Sequence, residues 1–323
     1  MVDVAGLVLP FFGLILLGYI MAKLIRQGRE AMGWLNVFII YLALPALFFK
    51  LLSTTPVAEL ASWNFVLTNI LATFTVFLSV FCIARIFRHS GTAEATIQGL
   101  GGAYGNIGYM GPGLAILAFG EAAAVPVALV FCFENVMHFT ITPAMMALSG
   151  KERKTITQLI FSVARSVILH PFIIATVFGI GAAVIEFVPP VPIERLISYL
   201  AQAAAPSALF AMGVTLGVSS INKVPVELSY VIPFKLIFHP LIMYLFLSFM
   251  GDFDQLWVFT AVLLAALPTA TNVFIFGQQY GFWVENSSAC ILVSTILSVL
   301  SVSVLLFLIT NNLIPADLFP ASV

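Results

Sequence analysis

Apolar runs of roughly twenty residues follow one another along almost the whole chain, with only short polar connections between them. A helix needs about 20 residues to cross the hydrocarbon core of a bilayer, and backbone in lipid must satisfy its own hydrogen bonds. The pattern predicts an all-α polytopic membrane protein with ten transmembrane helices. They fall at about 4–24, 33–52, 62–87, 94–119, 122–147, 158–185, 195–217, 226–249, 256–280 and 286–311. Charged residues make up 8% of the 323, against about 25% in a soluble domain. Asp3 precedes the first run, with no basic leader or small-residue cleavage site, so that run reads as a span and not as a cleaved signal. A net charge of −1 without a long basic run argues against nucleic acid as a partner. Cys82, Cys132 and Cys290 sit inside apolar runs without metal-ligand or redox spacing, and no metal site is expected.

Charge in the connections sets the sidedness. Lys23, Arg26, Arg29, Arg85, Arg88, Lys151, Arg153, Lys154 and Lys223 fall on one side, and only Lys50 and Arg195 on the other. By the positive-inside rule both termini face outside. An internal repeat divides the chain into 1–150 and 158–323. Pro10-Phe11, Gly18, Pro45, Phe49 and Gly120 recur as Pro171-Phe172, Gly179, Pro206, Phe210 and Gly281, each 161 positions on (171 − 10, 281 − 120). Five spans per half is an odd number, so the two repeats would insert in opposite orientations. That is an architecture of secondary transporters, whose sites lie at discontinuous helices near the midplane.

Two stretches carry the discontinuities. Residues 103–120 place Gly105, Gly108, Gly111, Pro112 and Gly113 around one amide, Asn106, in the middle of apolar sequence. A continuous helix would not gather so many breaking residues. Irregular backbone at membrane depth is tolerated only where protein or a wet cavity satisfies it. The offset of 161 maps this stretch onto 264–281, where Pro268, Thr269, Thr271 and Asn272 stand mid-span. The fourth and ninth spans are thus expected to be broken helices that cross, their N-terminal dipole ends favouring an anion.

At these residues the chain resembles the auxin efflux carrier family, within the bile/arsenite/riboflavin transporter superfamily. The resemblance rests on Gly-Asn-Ile-Gly-Tyr-Met-Gly at 105–111 and Ala-Leu-Pro-Thr-Ala-Thr-Asn-Val-Phe at 266–274, with Leu9-Pro10-Phe11-Phe12 and Leu42-Ala43-Leu44-Pro45-Ala46 in the first two spans. It implies ten helices and an elevator-type mechanism. A scaffold of spans one, two, six and seven (about 4–52 and 158–217) would form a homodimer. A transport domain of the rest (about 62–147 and 226–311) would move against it. It further implies a small organic anion such as malonate, malate or an auxin-like acid, bound at the crossing. The family's crossover residues match Asn106 and Pro112, and Pro268 with Asn272; Gly105, Gly108, Tyr109, Thr269 and Thr271 adjoin them. Gly111-Pro112-Gly113 departs from the Gly-Ile-Pro of bacterial relatives by one position. About ten residues at 149–158 stand where plant carriers have a long loop, which suggests a bacterial inner-membrane protein.

Ionisable groups inside the spans are functional candidates by default, since each costs at least ~2.5 kcal/mol to place at mid-membrane. Glu134 and His138 share a face of the fifth span, with Asn135 beside them, and Lys235 and His239 make a second i, i+4 pair in the eighth. The first pair reads either as a structural brace or as a proton-coupling site. Lys235 either snorkels to the cytoplasm, pairs with Glu134, or neutralises a bound carboxylate. Thr68, Asn69, Thr73 and Thr75 in the third span suit interhelical hydrogen bonds, or Asn69 and Thr73, which share a face, help to hold a coupling ion. Tyr41 and Gln202, again 161 apart, are candidates to face the site from the scaffold. No cofactor is implied; a coupling ion, if used, is expected to be a proton before sodium. The competing readings are a sodium-coupled bile-acid-type symporter, a channel or receptor, and a membrane-embedded enzyme. The enzyme lacks a nucleophile–base pair or a metal-ligand set such as HExxH.

Overall fold

A computed structural model describes residues 4–26, 29–56, 62–150, 168–218 and 224–319, with a few positions between 157 and 165. Residues 151–154, Lys223 and most of the first part of the sixth expected span lie outside the described residues. The helices, in order, are α1 (Val4–Ile25), α2 (Gly33–Ser53), α3 (Trp63–Ile86), α4 (Thr92–Ala103), α5 (Ile107–Phe119), α6 (Glu121–Leu148), α7 (Pro171–Val184), α8 (Val191–Val218), α9 (Leu228–Met250), α10 (Gln255–Ala266), α11 (Thr271–Tyr280) and α12 (Val284–Thr310). Among the described residues six of these, α2, α3, α6, α8, α9 and α12, are long and apolar enough to cross a bilayer, and no strand is formed. Large apolar side chains such as Leu16, Phe178, Ile237 and Leu300 are exposed. Lipid suits such a surface, where water would drive it to associate.

Proline shapes two of the long helices. In α2 the turn Ile39–Ala43 widens to a π-helical turn just before Pro45, and in α9 the turn Phe234–Phe238 does so just before Pro240. A proline ring clashes with the carbonyl four residues back and offers it no N–H, so the preceding turn opens. The second wide turn carries Lys235, and His239 follows it directly.

Glycine lets two helix pairs touch backbone to backbone. A Cβ on Gly213 of α8 would lie 1.9 Å from the Ile15 carbonyl oxygen of α1, and one on Gly18 would lie 2.2 Å from that of Phe210. Likewise a Cβ on Gly179 of α7 would lie 3.2 Å from the Phe49 carbonyl oxygen of α2. Gly18 against Phe210 and Gly179 against Phe49 exchange roles under the shift of 161 positions (179 − 18, 210 − 49). Such close contact replaces the hydrophobic drive that helices lack in lipid.

Two short helices are buried on every side. All residues from Ala95 to Ala103 of α4 and from Val258 to Ala266 of α10 are buried, which places both in the interior. Each stops abruptly there. The sequence expectation put the irregular backbone among Gly108, Gly111, Pro112 and Gly113, but these lie inside α5. The first break is only Tyr104 to Asn106. The glycines of α5 serve close packing instead: a Cβ on Gly111 would meet Leu264 at 2.9 Å and one on Gly113 would meet Ala205 at 2.8 Å.

Candidate functional site at two crossing helix breaks

Both interior helices end in extended backbone. Tyr104 (φ −78°, ψ 99°) follows α4, and Leu267 (φ −64°, ψ 150°) follows α10. Freed polar backbone needs partners at this depth, and the two breaks supply them to each other. The Asn106 N–H donates to the Pro268 carbonyl at 2.8 Å and the Ala270 N–H to the Tyr104 carbonyl at 2.9 Å, so that Gly105 and Thr269 form an isolated antiparallel bridge. Side chains complete the crossing. The Thr269 hydroxyl donates to the Gly101 carbonyl at 2.8 Å in the last turn of α4. The Thr269 N–H donates to Ser294 Oγ at 3.2 Å, and Lys235 Nζ donates to the Ala265 carbonyl at 2.6 Å in the last turn of α10. A cation there also suits the negative end of the helix dipole.

From this crossing α5 and α11 depart, so that the N-terminal turns of both helices lie at the break. Beside those turns lies a cavity of about 250 Å³, lined by Tyr109 of α5, Thr271 and Phe274 of α11, Met212 and Thr215 of α8, and Asn36 of α2. Met32 and Val218 also line it, at the end where α1 connects to α2. Asn106, the residue before α5, is 2% exposed. Its Nδ2 has a thioether, Met212 Sδ, as partner at 3.1 Å, a weak acceptor.

The amide of the second break is held differently. Asn272 Nδ2 donates to the Tyr104 hydroxyl at 2.7 Å, and that hydroxyl donates to Asn135 Oδ1. Asn135 Nδ2 donates to the Phe131 carbonyl at 2.7 Å. The Tyr104 ring stacks on His138, centroids 4.0 Å apart. Tyr104 therefore ties the first break to α6 and α11. Sequence reasoning missed it, although a tyrosine two residues before Asn106 was a visible signal. Met212 gave no signal at all.

Behind the crossing runs a buried polar chain. Lys235 Nζ contacts His239 Nδ1 at 2.8 Å, His239 Nε2 contacts Thr73 Oγ1 at 3.1 Å, and Thr73 Oγ1 contacts Glu134 Oε1 at 2.8 Å. Lys235, His239 and Thr73 have no exposed surface, and Glu134 is 2% exposed. Lys235 thus does not snorkel, and it meets Glu134 only through two intermediaries. A Cβ on Gly105 would lie 3.3 Å from Lys235 Nζ, so the ammonium sits against the bridge itself. Among the described residues Glu134 Oε2 and both ring nitrogens of His138 have no hydrogen-bond partner.

Of the other expected residues, Pro112 is buried in α5, and Gly108 packs on the Phe131 ring. Tyr41 and Gln202 are not brought to the crossing. Tyr41 is 61% exposed and borders a separate groove with Pro45, Phe49 and Phe178; Gln202 is exposed on α8. Successive helix residues are turned by about 100°, and α2 turns Asn36 and Ile40 to the cavity, which leaves Tyr41 facing away.

Residues 3–306 match the family model described as "Membrane transport protein". The chain is 58% identical over 320 residues to a "Putative malonate transporter" of Rhizobium meliloti, covering 99% of this chain and 100% of that protein. It is 26% identical over 299 residues to an "Uncharacterized transporter" of Methanothermobacter thermautotrophicus, covering 91% and 94% of the two chains.

Proposed function

Because the chain belongs to the auxin efflux carrier family of membrane transport proteins, we propose that this multi-pass membrane transporter carries a small dicarboxylate of the malonate type. The observation that carries the reading is the crossing itself: two helix breaks that satisfy each other's backbone beside a cavity lined by Tyr109 and Thr271 from the first turns of two helices, with Asn106 just behind its Met212 wall. Amide, hydroxyl and first-turn N–H groups are donors suited to carboxylate oxygens. The name of the relative at 58% identity supports malonate among such acids.

In this reading ten spans form two inverted repeats of five, in the bacterial inner membrane with both termini outside. The reciprocal Gly18–Phe210 and Gly179–Phe49 contacts support the repeat. The scaffold (about 4–52 and 158–217) forms a homodimer, and the transport domain (about 62–147 and 226–311) carries the crossing past it as an elevator. Met32 and Val218, which line the cavity, lie at the end that this orientation turns to the cytoplasm, which supports an inward-facing state. A proton is favoured over sodium as the coupling ion, because the ammonium of Lys235 already caps the Ala265 carbonyl at the crossing and would repel a second cation there.

The test is counterflow of labelled malonate in proteoliposomes, with malate, indole acetate and acetate as competitors, under imposed pH or sodium gradients. Saturable malonate exchange, driven by the pH gradient and insensitive to sodium, is the expected outcome. Sodium-dependent uptake would replace the proton reading with a sodium symporter, and non-saturable flux would replace the carrier with a channel.

A further inference from the structure

We propose that Lys235, His239, Thr73 and Glu134 form an internal proton wire. It places a positive charge against the crossing when an organic anion binds and withdraws it when the anion leaves. The inference rests on the anion reading above, and adds to it a compensation of the anion's charge inside the protein, apart from any coupling proton.

The direction of each link follows from donor chemistry. An ammonium has donors only, so with Lys235 charged both its contacts run outward, to the Ala265 carbonyl at 2.6 Å and to His239 Nδ1 at 2.8 Å. Nδ1 then accepts, which puts the proton of the neutral ring on Nε2. That N–H donates to Thr73 Oγ1 at 3.1 Å, and the hydroxyl donates to Glu134 Oε1 at 2.8 Å. Every link points one way, from an ammonium to a carboxylate.

A concerted shift reverses them all. The Nζ–H bond breaks as Nδ1–H forms, Nε2–H breaks as Oγ1–H forms, and Oγ1–H breaks as Oε1–H forms. The products are a neutral amine, the other imidazole tautomer, a reoriented hydroxyl and a neutral carboxylic acid. Nothing enters or leaves, and every hydrogen bond persists with its polarity inverted; the amine still donates to the Ala265 carbonyl. Without an anion, two buried charges held apart by two bridging side chains are costly. The unpartnered Oε2 of Glu134 is also better tolerated on a neutral acid than on a carboxylate. A carboxylate at the crossing favours the ammonium, since Lys235 Nζ abuts the bridge at Gly105.

Other titratable groups face the chain from each neighbouring element. His138 of α6 lies within electrostatic reach of Lys235 and His239, Cys290 of α12 within reach of Lys235, and Tyr104 within reach of Glu134. Their own side-chain hydrogen bonds lie elsewhere: Tyr104 with Asn135 and Asn272, Cys290 with Thr269, while the His138 ring has none among the described residues. The wire therefore has no branch among the described residues.

The test is ¹⁵N-histidine NMR of the reconstituted full chain, with the His239 signal identified by its loss in H239Q. Wild type without ligand is expected to show both His239 tautomers, and saturating malonate to shift it to the Nε2–H form. E134Q, whose amide cannot take the proton, is expected to show Nε2–H alone, unmoved by malonate. T73V interrupts the wire elsewhere and serves if E134Q fails to fold. A single tautomer in wild type, the same as in the variants, overturns the proposal whether or not any anion binds. A mixture that malonate leaves unmoved, while a thermal shift proves malonate bound, overturns it too. If no carboxylate in a thermal-shift panel binds, the anion reading falls separately, and wild type against E134Q still decides whether the wire moves a proton.

Discussion

The two helix breaks use one backbone device and opposite side-chain strategies. The second, after α10, is braced on all sides: Thr269 reaches the Gly101 carbonyl, Ser294 receives the Thr269 N–H, Lys235 caps Ala265, and Asn272 is tied to Tyr104. The first, after α4, has its backbone paired, but among the described residues the partner of its amide, Asn106, is the sulfur of Met212. A buried amide donor normally has a strong acceptor. One break is thus built to hold still, and the other retains a donor that a ligand oxygen would satisfy better than its present partner does.

The sharpest way to break this comparison is to remove each amide in turn. Asn106→Ala is expected to lower malonate transport by about 10- to 100-fold, the worth of one or two hydrogen bonds to a charged ligand, with little change in melting temperature. Asn272→Ala is expected to do the reverse. It costs about 1 kcal/mol of stability through the lost hydrogen bond to the Tyr104 hydroxyl, which keeps Asn135 as its acceptor, and leaves transport within a few-fold of wild type. Paired proteoliposome flux and thermal unfolding measure both. Loss of flux in Asn272→Ala with normal stability would exchange the roles assigned to the two breaks.

Much of this contrast was legible in the sequence, and the missing part has a physical cause. Apolar runs and the Gly, Pro and Asn content of 103–120 and 264–281 marked the two interrupted spans, because lipid makes such interruptions rare. Their register was not legible. Ala103 and Ala266, the last helical residues before the breaks, lie 163 positions apart (266 − 103), whereas Gly120 and Gly281, both with positive φ, keep the offset of 161. Main-chain pairing between the breaks, which no single-chain pattern encodes, fixes where each helix stops. Glu134, His138, Lys235 and His239 stood out as charges in apolar sequence, but Thr73 joined them only in three dimensions. Tyr41 was singled out by the repeat, yet repeat symmetry does not specify which face of α2 meets the cavity.

A smaller effect separates bracing from binding within the second break alone. Thr269→Val keeps the volume and removes the hydroxyl that caps Gly101, leaving a buried carbonyl without that donor. The expected loss is about 1 kcal/mol, read in thermal unfolding, with the apparent affinity for malonate unchanged. A variant of normal stability that binds malonate more weakly would make Thr269 a ligand and not a brace.

The smallest expected effect has the opposite sign. In Met212→Ala the sulfur partner of Asn106 is removed from the α8 wall of the cavity. A thioether is a weak acceptor, so the amide loses little, on the order of 0.5 kcal/mol. Any carboxylate that binds through Asn106 must displace that sulfur in the wild-type protein, and in the variant it need not. Apparent malonate affinity is therefore expected to rise by roughly two- to threefold, the factor that 0.5 kcal/mol corresponds to, in thermal-shift titrations. Met212→Leu, which keeps bulk but has no sulfur, separates the two contributions. If Leu behaves like Ala, the contact between sulfur and amide is what the ligand replaces; if Leu binds malonate as wild type does, bulk alone guards the first break. A fall in affinity in both variants would mean that Met212 helps to hold the ligand, and Asn106 would no longer be the donor kept in reserve.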